Sequence, residues 1–488
     1  MRSLETDDTI SFVRLIFLSC LGVATGLSQT ADVQQLKDKL QALERTVQDL
    51  KNQLAAVEQA QKTPAAPTVA PVTPPRVPPP QIPTPYIGQE TRDRDSAGQN
   101  EVGAPRPYNE PLDPELRGYF RLPGTGTMIK FGGFVKNDFF YDLKYAGTYY
   151  GAYVPSSFPS SPQPISANST VSMRPSRFNV EFRQPVEEGG PSDAVKVFFE
   201  FDFLGDYDRN SLRLRQFYGQ YKNFLAGQTW SAFGDPDAFP DTLEFEGPPG
   251  IMGLRNPQFR YTQPIDKHNW VGVSVEKSGT DTPFSTQFGT PIGTQVRPDL
   301  IGFYRYENKY GHIHFAGISR SVGGFIKNST NPDLTNHVNG YGGSLSGTWG
   351  LGASRDSVVF QAIIGKGISN YYNDNFGLGG DVGFSAAGRL VATPTGSATV
   401  GYTHYWSKLV RTTFSYGYTR INNTASDPGT NYHISHYATG NIIIQPTVRF
   451  LYGAEYIYGS VRRKDGFEWV APRIQASITY YINKYPRE

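Results

Sequence analysis

Charged residues in two nearby segments have the types and spacing to attract or repel small ions. The first segment, from Leu212 to Arg215, reads LRLR, so an extended strand would place both guanidinium groups on one face. The second, from Ala232 to Asn256, combines acidic and aromatic residues. Cationic side chains around a narrow passage favour anions, and opposite charges across it create a transverse field. Together the segments predict a charged constriction.

The candidate lining residues fall into a basic and an acidic set. Arg213 and Arg215 are the main basic candidates, supplemented by Arg177, Arg183 and Arg255. The acidic set lies in the segment 232–256, which we expect to fold inward and narrow a lumen. The alternative is that the arginines pair with nearby carboxylates and only solvate the wall. The acidic candidates are Asp235, Asp237 and Glu244, and the possible wall partners are Glu181, Glu200 and Asp202.

Catalytic signals are weak throughout the sequence. It contains no nucleophile elbow, zinc-protease motif, P-loop or dinucleotide fingerprint. His312 and His314 lie on one face of a predicted strand, and His433 and His436 form a second pair, but neither pair has a third ligand nearby. We therefore expect no metal, no cofactor and no enzymatic activity. An outer-membrane hydrolase with scattered catalytic residues remains the alternative.

Residues of alternating polarity predict the strands that would position these side chains. Between Met128 and Leu143, Phe139 and Tyr141 share one face while Asp138 and Asp142 share the other. Tight connections fall on one side of the predicted sheet and long ones on the other, which is typical of outer-membrane barrels. The sixteen predicted strands lie near 128–143, 175–184, 193–204, 211–222, 223–231, 257–264, 269–277, 299–307, 312–321, 337–349, 357–371, 396–406, 409–420, 434–444, 447–459 and 470–482.

The composition is consistent with a hollow structure. The 488 residues include 31 Phe, 30 Tyr and 51 Gly, yet the mean hydropathy is -0.43. A water-filled barrel needs an apolar residue only at every second strand position, which reconciles many aromatics with a polar average. After the N-terminal segment no apolar run reaches about 18 residues, so a spanning helix is not expected. The predicted fold is all-β, a transmembrane antiparallel β-barrel that closes because lipid cannot satisfy an open sheet edge.

Three segments precede the predicted barrel domain of 118–488. Residues 1–31 resemble a secretory signal peptide, with Arg14 before an apolar stretch that contains Cys20, although an uncleaved anchor is the alternative. Residues 32–60 predict a periplasmic coiled coil, and a single amphipathic helix is its alternative. Residues 61–117, with ten prolines between Pro64 and Pro85, predict an extended linker. The heptad seam comprises Val33, Leu36, Leu40, Leu43, Val47, Leu50, Leu54 and Val57.

The sequence resembles the DcaP-like outer-membrane porins. The likeness covers the chain after the signal segment and rests on the coiled coil and on four stretches, 118–125, 129–138, 212–218 and 225–233. It implies a homotrimer of 16-stranded barrels that passes small, mainly negatively charged solutes such as dicarboxylates, with Arg213 and Arg215 lining the pore. One departure is the C-terminus, because barrels of this kind usually end on an aromatic residue and here Ile482 is followed by six more residues.

These observations predict a passive pore in the bacterial outer membrane. Its expected partners are outer-membrane lipid, small hydrophilic solutes and two further copies of the chain, and no nucleic acid. The alternative from a different class is a structural protein that uses the coiled coil to tether the outer membrane to the cell wall.

Overall fold

The computed structural model describes about three-quarters of the chain, from residue 118 to residue 482, with several gaps. The described ranges are 118–147, 152–186, 194–205, 210–283, 286, 288–326, 335–352 and 354–482. Between Gln41 and Asn52, six further residues are described, all helical and exposed. The predicted signal peptide, the heptad seam, the linker and the six C-terminal residues lie outside the described residues, so these predictions are not tested. No described helix combines the length and the hydropathy needed to cross a membrane.

The barrel domain is built almost entirely from antiparallel strands. Short 3-10 turns occur at Pro155–Ser157, Pro236–Ala238 and Ser369–Tyr371. The described strands are β1 (Tyr119–Arg121), β2 (Met128–Asp142), β3 (Asn168–Ser172), β4 (Arg177–Gln184), β5 (Val195–Asp202), β6 (Arg213–Tyr221), β7 (Phe224–Trp230), β8 (Arg255–Pro264), β9 (Asn269–Glu276), β10 (Pro291–Thr294), β11 (Asp299–Asn308), β12 (Gly311–Ile326), β13 (Thr335–Gly350), β14 (Ser357–Lys366), β15 (Val382–Phe384), β16 (Leu390–Ala392), β17 (Pro394–Tyr405), β18 (Val410–Ile421), β19 (Tyr432–Thr447), β20 (Phe450–Arg463), β21 (Glu468–Val470) and β22 (Arg473–Ile482).

Each barrel strand pairs with its neighbours until the last strand, β22, pairs with the first, β2. β3 and β4 both pair with β2 and together form one interrupted barrel strand. The short strands β1, β10 and β21 extend the sheet, and β15 and β16 form a separate hairpin. The closed barrel therefore has 16 strands, and the predicted antiparallel β-barrel and its strand number are confirmed.

Side chains alternate between the two surfaces of the barrel. In β2, Phe139 and Tyr141 are exposed on the outer surface, whereas Asp138 and Asp142 are buried inside. Asp142 is the register partner of Arg473, and its carboxylate oxygen lies 2.6 Å from the Arg473 Nε, so a buried ion pair joins the first and last strands. The apolar outer surface and the polar inner one are those of a barrel that spans a membrane.

The connections differ in length at the two ends of the barrel. Tight turns join β6 to β7, β11 to β12 and β19 to β20 at one end, which is the periplasmic end in barrels of this kind. The longer connections lie at the other, extracellular end. One of them forms part of the candidate site and is called the third loop (231–254). The predicted asymmetry of the connections is therefore present.

Candidate functional site

Four arginines from three strands meet on the inner wall of the barrel. Arg177 begins β4, Arg213 and Arg215 belong to β6, and Arg255 begins β8. Arg177 and Arg213 are both register partners of Asp202 in β5, so the three side chains stand in one row across adjacent strands. Together, the four arginines form what we call the arginine cluster.

A β-bulge in β6 places two consecutive residues, Arg215 and Gln216, on the inner surface of the barrel. The register between β5 and β6 shifts after Glu200, and Arg215 is the extra residue on β6. As a result Arg215 and the following Gln216 are both buried inside, while Leu214 and Phe217 are exposed outside. Bulges commonly redirect side chains near functional sites. The predicted alternation gave the correct face for the arginines but not this local change of period.

Two carboxylates on β5 neutralise part of the cluster. Arg213 donates two hydrogen bonds to Asp202, from Nε to Oδ1 over 3.0 Å and from Nη2 to Oδ2 over 2.7 Å. Arg215 donates from Nε to a Glu200 oxygen over 2.9 Å and from Nη1 to Asp202 Oδ2 over 2.8 Å. The wall pairing considered as an alternative therefore exists. Within the part of the chain that the structure describes, four guanidinium groups lie around Glu200 and Asp202, so these two carboxylates balance only part of the positive charge of the cluster.

Arg255 is the member of the cluster that is most available to a solute. Its side chain is partly exposed, and it forms no ion pair or hydrogen bond with any residue that the structure describes. Its guanidinium lies 4.6 Å from the ring centroid of Trp230, its register partner in β7, and this cation–π contact orients it. Arg255 lies outside the LRLR motif that carries the family resemblance, so it was a weaker candidate from the sequence than Arg213 and Arg215.

Arg183 does not belong to the cluster. It is the register partner of Met128, at the periplasmic end of the barrel, and its Nε donates a hydrogen bond to Glu181. Lys196 lies 3.8 Å from the same carboxylate. The alternation predicted the inward face of Arg183 correctly. However, Arg183 lies near the periplasmic end of β4, whereas Arg177 lies at the opposite end.

The third loop leaves β7 at mid-barrel and packs along the inside of the opposite wall. Its first anchor is Asp235, which accepts hydrogen bonds from Arg305 over 3.1 Å and from Ser346 over 3.1 Å and lies 2.8 Å from His312 Nε2. His312 and Arg305 hold the pKa of Asp235 well below its usual range, against the effect of burial, which raises it. Asp237 pairs with the same guanidinium over 2.8 Å.

Further along, the loop is fastened to strands near the closure of the barrel. Arg411 of β18 donates to Asp241 over 2.7 Å, and Lys136 of β2 donates from Nζ to the Leu243 carbonyl over 2.7 Å. Glu455 of β20 accepts the Leu243 backbone N–H. The inward course expected for 232–256 is thus held by inward-facing charged residues, such as Arg411, Lys136 and Glu455, that the sequence analysis did not connect with the loop.

The tip of the third loop approaches the arginine cluster from across the lumen. The ring of Phe245 is buried, and its centroid lies 5.0 Å from the Arg177 guanidinium, 5.5 Å from that of Arg215 and 6.0 Å from that of Arg213. An aromatic face attracts cations without neutralising them. The loop thus stacks on the cluster while leaving its charge in place.

The predicted acidic residue beside this ring is withdrawn from the lumen. Glu244 is buried and accepts the backbone N–H groups of Tyr153 over 2.8 Å and Gly247 over 2.7 Å. Burial, together with the nearby Glu246, raises the pKa of Glu244 to about 8. Glu244 is therefore mostly neutral at pH 7. Of the three acidic candidates, Asp235 and Glu244 face protein, and the Asp237 side chain is paired with Arg305 and only 7% exposed.

Among the described residues, one group of side chains has ligand atoms close enough together to hold a metal ion, but a metal ion fits it poorly. Asp235, Asp237 and His312 offer ligand atoms within 4.8 Å of one another. The guanidinium of Arg305 already bridges the two carboxylates, and its positive charge opposes a metal ion in the same place. His314 does not join the group but packs against Phe303, with ring centroids 5.5 Å apart.

The other histidine pair is also occupied by protein contacts. His433 Nδ1 lies 2.9 Å from the Asn423 side-chain oxygen, and His436 Nδ1 lies 2.8 Å from the Tyr416 hydroxyl. Both side chains are only partly buried and lie on the outer surface of the barrel, so neither reaches the lumen.

Comparisons with known proteins agree with this architecture. The sequence model of the DcaP outer membrane protein family matches residues 122–480. The crystal structure of the outer membrane channel DcaP of Acinetobacter baumannii superposes with a TM-score of 0.64 at 21% identity, covering 74% of this chain and 99% of that one. An anion-selective porin from Comamonas acidovorans gives a TM-score of 0.46 at 11% identity, covering 73% and 100%. The comparison with curated protein sequences found no match.

Proposed function

The chain belongs to the DcaP outer membrane protein family, and from that premise we propose that it is a passive diffusion channel that prefers small anionic solutes such as dicarboxylates. Its barrel has the fold of an outer-membrane channel. The observation that carries the anion preference is Arg255, a partly exposed guanidinium on the inner wall with no ion-pairing partner among the described residues.

Arg255 can meet a carboxylate without losing an existing ion pair. Guanidinium groups bind carboxylates through two parallel hydrogen bonds, which fixes the orientation of the solute. Arg213 is about one-third exposed and shares its carboxylate, Asp202, with Arg215. A solute bound at Arg255 therefore has a second positive charge nearby that is only partly neutralised. Weak binding at more than one place permits passage, since a solute that binds tightly would block the pore.

We propose that the channel assembles as a homotrimer in the outer membrane. The support is the predicted heptad seam from Val33 to Val57 together with family membership. Native mass spectrometry of the full chain in detergent tests this proposal. A trimer mass supports it, and a monomer under conditions that keep the barrel folded contradicts it.

Current block by a dicarboxylate tests the role of Arg255. We expect succinate to reduce the chloride current of single channels in planar bilayers in a concentration-dependent way. Arg255→Gln should require about tenfold more succinate for the same block, because a hydrogen bond to a charged group contributes roughly 1.5–3 kcal/mol. Lys408→Gln, which removes a positive charge from an exposed turn between β17 and β18, is the matched control. Equal block of both variants would contradict the proposal.

A further inference from the structure

A row of basic residues crosses the outer surface of the barrel near the extracellular ends of three strands. Arg420 of β18 and Arg462 of β20 are both exposed. Both are register partners of Ile434 in β19, so they stand at the same height. Neighbouring strands are about 4.8 Å apart, which puts the two backbones roughly 10 Å from each other. A β-bulge next to Ile434 inserts His433 between them.

The row lies where lipid head groups meet the protein. On the same surface and nearer to the periplasm, Phe414, Tyr416 and Tyr458 are exposed, as expected for an aromatic girdle. From Phe450, at the periplasmic turn, β20 extends about 40 Å to Arg462, and a tilt of about 40° reduces this to a height of roughly 30 Å. The apolar band of such barrels is about 25 Å tall. The guanidinium groups thus lie at its outer edge.

Neither guanidinium is compensated by the part of the protein that the structure describes. Arg420 and Arg462 form no hydrogen bond or ion pair with any described residue. Glu468 is the register partner of Arg462 in β21, but the two side chains form no ion pair. His436, in the next row, hydrogen-bonds to the Tyr416 hydroxyl and packs on Tyr418 with ring centroids 5.3 Å apart. The row therefore presents two guanidinium groups that form no ion pair within the described residues, with the exposed Glu468 next to Arg462 in the register.

We propose that Arg420 and Arg462, with His433 between them, bind the phosphate group of a lipid in the outer leaflet. Guanidinium groups pair with phosphate through two hydrogen bonds, and a basic site at a membrane surface attracts anionic head groups. The aromatic girdle below the row would contact the sugar or acyl part of the same lipid. A lipid fits better than free phosphate because apolar surface continues directly beneath the charges.

Native mass spectrometry with defined lipids tests this site on the full chain in detergent. The probes are diphosphorylated lipid A, its dephosphorylated form and phosphatidylethanolamine. The test variant is Arg420→Gln/Arg462→Gln. Its control is Arg389→Gln/Lys408→Gln, which removes two charges from exposed positions away from the row. Electrophoretic mobility before and after heating confirms that each barrel is folded.

We expect the wild type and the control to bind diphosphorylated lipid A with the same affinity. The test variant should bind it roughly 30-fold more weakly, since each arginine near an anionic surface contributes about fivefold. Equal binding by the test variant and the control overturns the proposal, as does equal wild-type binding of the dephosphorylated lipid. A change in oligomer mass confined to the test variant also overturns it, because a second copy of the chain would then cover the row.

Discussion

Glu244 permits a sharp test of how the third loop controls the channel. Its buried carboxyl group has a pKa of about 8 instead of the usual 4.5. A raised carboxyl pKa means that the packed loop is favoured below pH 4.5 and loses this stabilisation as the pH rises through 8. The full loss corresponds to about 5 kcal/mol, taking 1.36 kcal/mol per pKa unit. Above pH 8 the ionised group also adds negative charge next to Phe245, which contacts the arginine cluster.

We therefore expect the anion preference of the wild type to fall between pH 7 and pH 9.5, with a midpoint near 8. The assay is the reversal potential in a salt gradient, recorded on planar bilayers at each pH. Asp281 and Asp374, whose pKa values are raised to about 6, have largely ionised by pH 7 and contribute little to this window. Glu244→Gln keeps the neutral form and should make the profile flat. A flat wild-type profile, or the same slope in both proteins, would refute the reasoning.

Two further substitutions test the packing of the third loop. Asp235→Asn should lower the free energy of unfolding by about 3 kcal/mol, which is the low end for a broken buried ion pair. The low end applies because Arg305 still forms ion pairs with Asp237 and Glu307. Denaturant titration measures this, and an unchanged midpoint would contradict it. Gly250→Ala should lower the yield of folded barrel or give a noisier channel, because Gly250 has a φ of +83° and an added Cβ would lie 2.4 Å from Ser397. Gly279→Ala, where nothing lies within 4 Å, should behave as the wild type, and equal behaviour of both alanine variants would count against the packing argument.

The barrel could be predicted from the sequence because its signals are local. Alternating residues such as Asp138 and Phe139 define the two surfaces of a strand, and tight turns such as Asn308 to Gly311 fix which strands are paired. The same reasoning gave the inward face for Arg213 and Arg215. It did not predict the bulge at Arg215, because a bulge interrupts the regular two-residue period of a strand.

The charge of the constriction could not be read in the same way. Asp235 is neutralised by Arg305, 70 residues later, and Asp241 by Arg411, 170 residues later. No local pattern connects these partners, because they meet only when the barrel closes around the third loop. The sequence signal that could have identified these partners was an arginine at an inward-facing position of a predicted strand. The withdrawal of the acidic residues supports our proposal that the arginine cluster is the dominant charge of the constriction, a question that the sequence alone left open.

Ion selectivity tests the central claim most directly. The reversal potential of the purified wild-type channel should be measured in a potassium chloride gradient at pH 7, alongside that of Arg213→Gln/Arg255→Gln. The arginine cluster predicts a wild-type potential on the chloride side and a shift of the double variant toward zero. A wild-type potential on the potassium side, or one that the double substitution leaves unchanged, would contradict the account.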